Sequence, residues 1–424
     1  LIVGGLVVDP ARKLEAVRDV LIENGKISDV AAGLAKKNAL KDVRRVDAAG
    51  KWVLPGLVDM HVHLREPGRE NDETIASGTA AAARGGVTTV LAMANTEPVT
   101  DNPSQLSFLR AKAAADAAVN VLFAGAVTVG QKGERLTEFA RLKAAGAAAL
   151  SDDGRPVMNA GLFRRALEAA TDLGLLIIDH CEDLTLSSGA CVNEGAAALR
   201  KGLKGSTWAA ETVQVARDIA LAELTGARVH LAHLSAAASV DLVRHAQKRG
   251  LRVSAEACPH HFSLTEDMIP GYDADWKMNP PLRGTRDREA LHEGLADGTI
   301  SAISTDHAPH GCGAKSQGMD AAPFGVIGLE TSLALTLELH RKKILSRRDV
   351  VARLSTGPAA LLGLKAKGTL APGADADVIV VDADESWTPG APYASKSRNT
   401  PFSGRRLKGR VRVTFVGGRE VHAL

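Results

Sequence analysis

The sequence predicts an α/β protein: a (β/α)8 TIM-type barrel with a small β domain built from both termini. Three observations predict it. An apolar, β-rich run recurs eight times, usually followed by an Ala-rich helical stretch, which is the pattern of parallel βα units. Both chain ends carry only short strands and turns, too few on either side for a stable sheet, so the economical arrangement pairs them with each other. Histidines and acidic residues fall repeatedly at the ends of the runs, where such barrels place their active sites.

Residues 1 to 51 open with Leu6-Val7-Val8 and Val20-Leu21-Ile22, and Asn24-Gly25 after the second run is a hairpin-turn signal. The far end has the same texture in Ala376–Val381 and Val411–Gly418. Between them the expected barrel strands are the run 52–58, then 87–92, 119–124, 147–150, 175–178, 228–232, 251–255 and 300–304. Helices are expected at about 73–85, 102–117, 134–145, 159–173, 207–225, 236–249, 286–297 and 327–342. The domains expected are therefore 1–51 and 365–424, which together form the β unit, and 52–364, a metal-dependent hydrolase barrel.

Composition narrows the function. Of 424 residues, 45% are hydrophobic and 24% charged, which is ordinary for a globular protein. A net charge of +3, with both signs scattered, gives no support for a nucleic-acid or membrane surface, so a small-molecule partner is expected. Four widely spaced cysteines suit free thiols in a reducing compartment. No apolar run approaches the ~20 residues of a membrane helix and no signal-peptide pattern opens the chain, so the expected location is cytoplasmic.

The chemistry centres on Asp59-Met60-His61-Val62-His63-Leu64-Arg65, after the first run. Two residues apart at a strand end, His61 and His63 point the same way and converge. Taken alone they are equally compatible with surface histidines. The remaining strand ends shift that balance, with Asn95 after the second, Asp152-Asp153 after the fourth, His180 after the fifth, His233 after the sixth and Asp306-His307 after the eighth. Strand alternation puts His233 on the face of Val229 and Leu231, pointing into the barrel mouth, and turns His230 away; Cys181 and His307 are likewise expected to face away.

Four imidazoles and two carboxylates exceed the four ligands of one tetrahedral ion and allow a carboxylate-bridged pair. We expect His61, His63 and Asp306 on one ion, His180 and His233 on a second, and Asp153 between them, with one or two ions per chain and two favoured. Metal acidifies bound water from ~15.7 to about 7, and Asp306 is placed to take a proton and pass it to a leaving nitrogen. Arg65 is a planar donor suited to a carboxylate.

Longer motifs identify a resemblance. Pro55–Arg65, Ser151–Gly154, His180–Asp183, His233-Leu234-Ser235, Lys277–Arg283, Thr305–His310, Ala322–Gly325 and Ser395–Phe402 resemble a dihydroorotase of the bacterial type I class, in the amidohydrolase superfamily. The resemblance covers nearly the whole chain. It implies zinc-dependent, reversible hydrolysis of (S)-dihydroorotate to N-carbamoyl-L-aspartate, a step of de novo pyrimidine synthesis. It carries metal ligation to His61, His63, Asp153, His180, His233 and Asp306, with Asp306 also the proton shuttle beside a metal-bound hydroxide. Arg65, Asn95 and His310 would hold the substrate carboxylate, with His63, Asn279 and Phe324-Gly325 lining the substrate. His260-His261 matches a family segment kept as structural.

Two departures stand out. Hydantoinases, allantoinases and some dihydroorotases bridge their metals with a carboxylated lysine at the fourth strand end, whereas Leu150-Ser151-Asp152-Asp153 has none and Lys143 lies back in the preceding helix. Gly311-Cys312-Gly313-Ala314-Lys315-Ser316-Gln317-Gly318 replaces an acidic, lysine-containing run, and its glycines predict a floppy loop, a lid ordered by substrate or partner. Some type I members need aspartate transcarbamoylase for activity, so that partner is an expectation, as is a homodimer. The competing readings are another cyclic amidase, hydantoinase- or allantoinase-like, and a non-catalytic homologue that partners aspartate transcarbamoylase; the latter should have lost ligands that are all present here.

Overall fold

The apolar run 52–58 does not form one strand. It breaks at Gly56, where a Cβ would run into the Thr88 side chain, and the two halves enter different sheets. Trp52–Pro55 joins the sheet built from the chain ends, and Leu57–Val62 opens the barrel. The change of sheet thus falls at Gly56 rather than at residue 51. The structure, a computed structural model, describes residues 1–424.

The barrel strands are β1 (Leu57–Val62), β2 (Val87–Ala92), β3 (Asn120–Gly125), β4 (Ala149–Leu150), β5 (Ile177–Asp179), β6 (Val229–Leu231), β7 (Val253–Ala257) and β8 (Ala302–Ile303). Each pairs in parallel with the next in chain order, and the ring is nearly closed by a parallel bridge from Val62 to His307, with the His63 N–H donating to the His307 carbonyl at 2.8 Å. The covering helices are α1 (Ile75–Arg84), α2 (Pro103–Asp116), α3 (Phe139–Ala145), α4 (Ala160–Asp172), α5 (Ala209–Thr225), α6 (Ala237–Lys248), α7 (Thr285–Asp297) and α8 (Ser332–Arg341). Local chemistry sets where they start. Thr74 and Ser77 form a reciprocal capping box on α1, and Asn102, followed by Pro103, accepts from the Gln105 N–H on α2.

The terminal sheet runs in the order Arg419–Ala423, Leu407–Val416, Val378–Trp387, Trp52–Pro55, Ile2–Asp9, Leu14–Glu23, Lys26–Ala31. Strands from both ends therefore share one sheet, joined through Trp52–Pro55. The Asn24-Gly25 turn has positive φ at both residues, as a two-residue hairpin of the favoured twist requires. Val7, Val53, Val380 and Phe415 pack in its own apolar core.

Inside the barrel the filling is small: Met60, Leu91, Ala124, Ala149, Ile178, Ala232 and Ala302 form the plug beneath the mouth. One expectation fails here. Val229 and Leu231 pack outward in the layer shared with the helices, so it is His230 that turns inward, fully buried between Ser254 and Glu256. His233 reaches the mouth because β6 has already ended and the chain turns at positive φ. Alternation extrapolated past the last ladder bond had the right residue for the wrong reason. All four cysteines are unpaired, and no helix is long and apolar enough to cross a membrane.

Candidate active site

The strand ends bring four imidazoles around one carboxylate. Asp153 Oδ1 lies 3.1 Å from His61 Nε2, 3.5 Å from His180 Nδ1 and 3.6 Å from His233 Nε2, and its Oδ2 lies 3.4 Å from His63 Nε2. Asp306 Oδ1 stands 2.9 Å from His63 Nε2 and 3.7 Å from His61 Nε2. The six residues expected to ligate metal are therefore together and buried. Their ligand atoms form two triads of close donors, His61–His63–Asp306 and His61–Asp153–His233.

These residues fit a metal. His61 Nε2 and Asp153 Oδ1 are fully buried and have no hydrogen-bond partner, an expensive arrangement unless something else binds them. Bonds of about 2.0 Å to a tetrahedral ion place ligand atoms roughly 3.3 Å apart, close to the spacings here. Charge argues the same way. Burial opposes ionisation of Asp153, yet the charge of His61 and the ring nitrogens of His180, His233 and His61 facing it hold it well below the usual carboxylate range. Burial likewise opposes protonation of His180, but Asp153 and Glu182 push it up to about 10. The buried carboxylates demand positive charge, which a cation supplies.

Each imidazole is aimed from behind. His61 donates from Nδ1 to Glu256 at 2.9 Å, and Glu256 is itself held by His230 at 3.1 Å and Ser304 at 2.5 Å. His180 donates from Nε2 to Glu182 at 2.8 Å, leaving Nδ1 toward Asp153. His63 donates from Nδ1 to the Asn95 carbonyl oxygen at 2.9 Å. Such outer partners fix tautomer and ring orientation at metal sites. Asp59, pushed up to about 6 by burial, accepts the N–H groups of His61 and Thr305 and so ties β1 to the end of β8. Asp152 accepts from Val127 and Thr128, so within the Asp152-Asp153 pair only the second faces the site.

The mouth holds a cavity of about 230 Å³. His63, Arg65, Asn95, Asn279, His310, Phe324 and Gly325, the expected substrate contacts, all line it, together with Asp153, His180, His233 and Asp306; His61 lies behind them. In the same cavity, Arg65 is 8% exposed and meets no carboxylate, donating to the Pro309 carbonyl at 3.1 Å and lying 3.2 Å from His310 Nε2. Burial, then Arg69, lower its pKa to about 10, and burial, then Arg65 and Arg69, bring His310 down to about 2, so His310 is neutral. Arg69, which also lines the cavity, donates to His310 Nδ1 at 3.0 Å and pairs with Asp72. One wall is thus a buried cation with no anion of its own.

The backbone is strained at this place. Among seven non-glycine residues with positive φ, three are Arg65, His233 and Asp306, a clustering typical of functional sites, at about 1–3 kcal/mol each.

Sequence reasoning passed over Glu256, Glu182 and Arg69. Glu256 lies mid-strand with no motif around it, whereas Glu182, two residues beyond His180, and Arg69, four beyond Arg65, sit inside segments already singled out. His260 and His261 are buried, and His261 donates to the Pro280 carbonyl. Cys181 faces Asp179 and Asp218, away from the cavity, and His307 pairs with Glu73. The segment 311–318, expected to be floppy, is built into two short helices, Cys312–Lys315 and Gly318–Ala321.

Known proteins resemble this chain in sequence and in fold. A family model described as dihydro-orotase-like matches residues 50–239. A dihydroorotase of Pelotomaculum thermopropionicum is 54% identical, covering 99% of this chain and 98% of its own, and one of Anaeromyxobacter sp. (strain K) is 51% identical over 99% and 96%. In structure the chain is similar to an L-hydantoinase (dihydropyrimidinase) of Arthrobacter aurescens, with a TM-score of 0.87 at 26% identity, covering 100% of this chain and 95% of the other.

Proposed function

This chain belongs to the dihydroorotase family, and from that premise we propose that the cavity binds (S)-dihydroorotate and hydrolyses its cyclic amide, reversibly, to N-carbamoyl-L-aspartate. The observation that carries the reading is the pairing, in one cavity, of the unpaired, buried Arg65 with the acid–imidazole cluster. The substrate has a carboxylate for the first and a scissile amide for the second.

We assign metal ligation to His61, His63, Asp153, His180, His233 and Asp306, and the metal to zinc, with two ions favoured by the donor count. Bound there, the metal would supply Lewis acidity and lower the pKa of water. The chain's own groups do the rest. Arg65 clamps the carboxylate with two parallel donors, and neutral His310, its Nε2–H held by the Phe324 carbonyl, packs beside the guanidinium where the carboxylate would sit. Asn279, which donates to Glu182 at 2.8 Å, and Phe324-Gly325 complete the lining. Hydrogen bonding from His63 and the charges of His61, His63 and His233 outweigh burial and hold Asp306 below the usual carboxylate range. Ionised, it accepts the proton of the attacking water and delivers it to the departing ring nitrogen as the C–N bond breaks. Asn95, engaged by His63, reaches the substrate from the same side.

The division of the chain into 1–51, 52–364 and 365–424 is our reading of its domains, with Trp52–Pro55 at the first boundary pairing into the terminal sheet. We also place the protein in the cytoplasm, acting as a homodimer and working with aspartate transcarbamoylase. Exposed Leu184, Leu186, Leu199 and Trp208 offer apolar surface for such association. Likeness to a hydantoinase keeps a second cyclic amidase activity in view, against which the absence of a lysine at the end of β4 argues. The test is turnover of dihydroorotate and of a hydantoin panel by the purified, zinc-loaded chain, with and without added aspartate transcarbamoylase. Turnover of dihydroorotate in either condition upholds the reading; turnover of hydantoin alone replaces it. Ion count in wild type and His180→Ala checks the ligand assignment.

A further inference from the structure

Lys315 is the one residue of the 311–318 segment whose side chain is drawn into the protein, and it is 7% exposed. Its ammonium donates to three backbone carbonyls, those of Gly325 at 2.9 Å, Pro323 at 3.0 Å and Lys277 at 3.3 Å. Three donors meet three acceptors, so the group is satisfied without a carboxylate partner. Burying a cation among neutral groups is costly, and a surface loop has no need of it. The location supplies the reason. The three carbonyls belong to two segments that bring residues to the lining of the cavity, one leading into Asn279 and the other holding Phe324 and Gly325.

Other contacts show that this wall is assembled from separate pieces. Gly325 has φ +130°, and a Cβ there would lie 2.6 Å from Ala308 Cβ, so the segment is pressed against the chain after β8. Its N–H donates to the Lys277 carbonyl at 3.0 Å, and its carbonyl also accepts from Asn399 at 2.9 Å. The Phe324 carbonyl accepts from His310 at 2.7 Å. At the outer end the Gly311 N–H donates to Asp72, the partner of Arg69, and Lys277 donates to the Asp320 carbonyl at 3.0 Å. Only Lys315 reaches both wall segments from the loop with a single group.

We propose that Lys315 is a positioning residue for substrate binding, its ammonium latching the 311–318 loop onto the Lys277–Asn279 and Pro323–Gly325 segments and so fixing the wall that Asn279, Phe324 and Gly325 present to substrate. This rests on the dihydroorotase reading for its substrate, but not for the latch itself. Asp273, Asp275, Lys277, Cys312, His310, Tyr393 and Arg398 are the titratable and charged groups around it. Burial brings the ammonium down to about 8, with Asp275 and Asp273 opposing and Lys277 reinforcing. Losing the proton removes one of the three donors, so the latch weakens on the alkaline side.

The test compares wild type, Lys315→Met and Lys315→Arg by hydrogen–deuterium exchange and by dihydroorotate kinetics. Methionine leaves the Pro323 carbonyl unpaired and takes one of two donors from each of the Lys277 and Gly325 carbonyls, so exchange in 311–325 is expected to quicken in Lys315→Met while the barrel strands are unchanged. KM is expected to rise about tenfold with kcat within about twofold, the split expected when uniform substrate binding is lost. Arginine, which keeps charge and donors, is expected to restore most of both. In wild type KM should climb between about pH 7 and about pH 9, a limb absent from Lys315→Met. Unchanged exchange in 311–325 overturns the latch, and so does a Lys315→Met KM within twofold of wild type. Should Lys315→Met fail to fold, a flat wild-type KM across that range overturns the proposal and a climb upholds it. If the wild type fails to turn over dihydroorotate, the substrate reading falls, and the exchange measurement still decides the latch.

Discussion

The two walls of the cavity are built in opposite ways. The acid–imidazole wall stands on or just beyond strand ends, and behind it is a second layer, also on or beside strands, in which Glu256 is held by His61, His230 and Ser304. The cationic wall stands on connections. Arg65 and Arg69 follow β1, His310 follows β8, and both His310 and Phe324-Gly325 are held by side chains from distant segments, including Asn399 and Lys315. On the first wall nearly every buried polar atom has a protein partner, and the exceptions point at one place. On the second, a buried guanidinium is left without an anion. A fixed charge pattern suits the reacting bond, since preorganised groups need no rearrangement as charge develops. An unpaired cation suits recognition, because the incoming carboxylate completes it.

This contrast is open to direct attack. The largest effect should come from Asp306→Asn, which removes the proton carrier while keeping its size; kcat is expected to fall by about a thousandfold with KM little changed, within the range for loss of a positioned acid–base group. Arg65→Met should do the reverse, raising KM by about a hundredfold for ~3 kcal/mol of lost charged contact, with kcat nearly retained. Both are read from steady-state kinetics on dihydroorotate. If Arg65→Met lost kcat instead, the guanidinium would be acting on the reacting bond and the division of labour between walls would fail.

Glu256→Gln tests the layer behind the acidic wall. It weakens the acceptor that orients His61 without touching the cavity, and metal affinity, measured by competition with a chelator, is expected to drop about 10- to 100-fold. Once metal is saturating, KM for substrate should return to the wild-type value. A KM shift that persisted at saturating metal would mean that the two walls are coupled through the barrel core.

Much of this was legible in the residues, and what was not has physical causes. The eight runs gave the strand order because each parallel βα unit is local, and the His-x-His and Asp-Asp pairs marked strand ends because nothing else places such groups there. The break at Gly56 was hidden, since the residues on both sides are equally apolar and only the crowding against Thr88 separates the sheets. The inward turn of His230 was hidden because alternation was counted backward from a residue already past the end of β6. Glycines in 311–318 suggested mobility, but a single lysine reaching three carbonyls outweighs backbone freedom that the sequence makes conspicuous.

Arg69 offers the finest cut between the walls. Its side chain is 33% exposed and its charge is shared with Asp72, so solvent and a competing carboxylate both weaken what it can offer an anion in the cavity. Arg65, a few residues earlier, is buried and has neither handicap. Arg69→Gln is therefore expected to raise KM for dihydroorotate only about three- to tenfold, with kcat unchanged. The difference should shrink as ionic strength rises, because a partly exposed charge is screened over roughly 8–10 Å at physiological salt. The Arg65→Met defect should persist at high salt, since ions do not reach a buried pair. Equal salt dependence in the two variants would place Arg65 in contact with solvent when substrate arrives, and the cationic wall would then be an electrostatic funnel rather than a clamp.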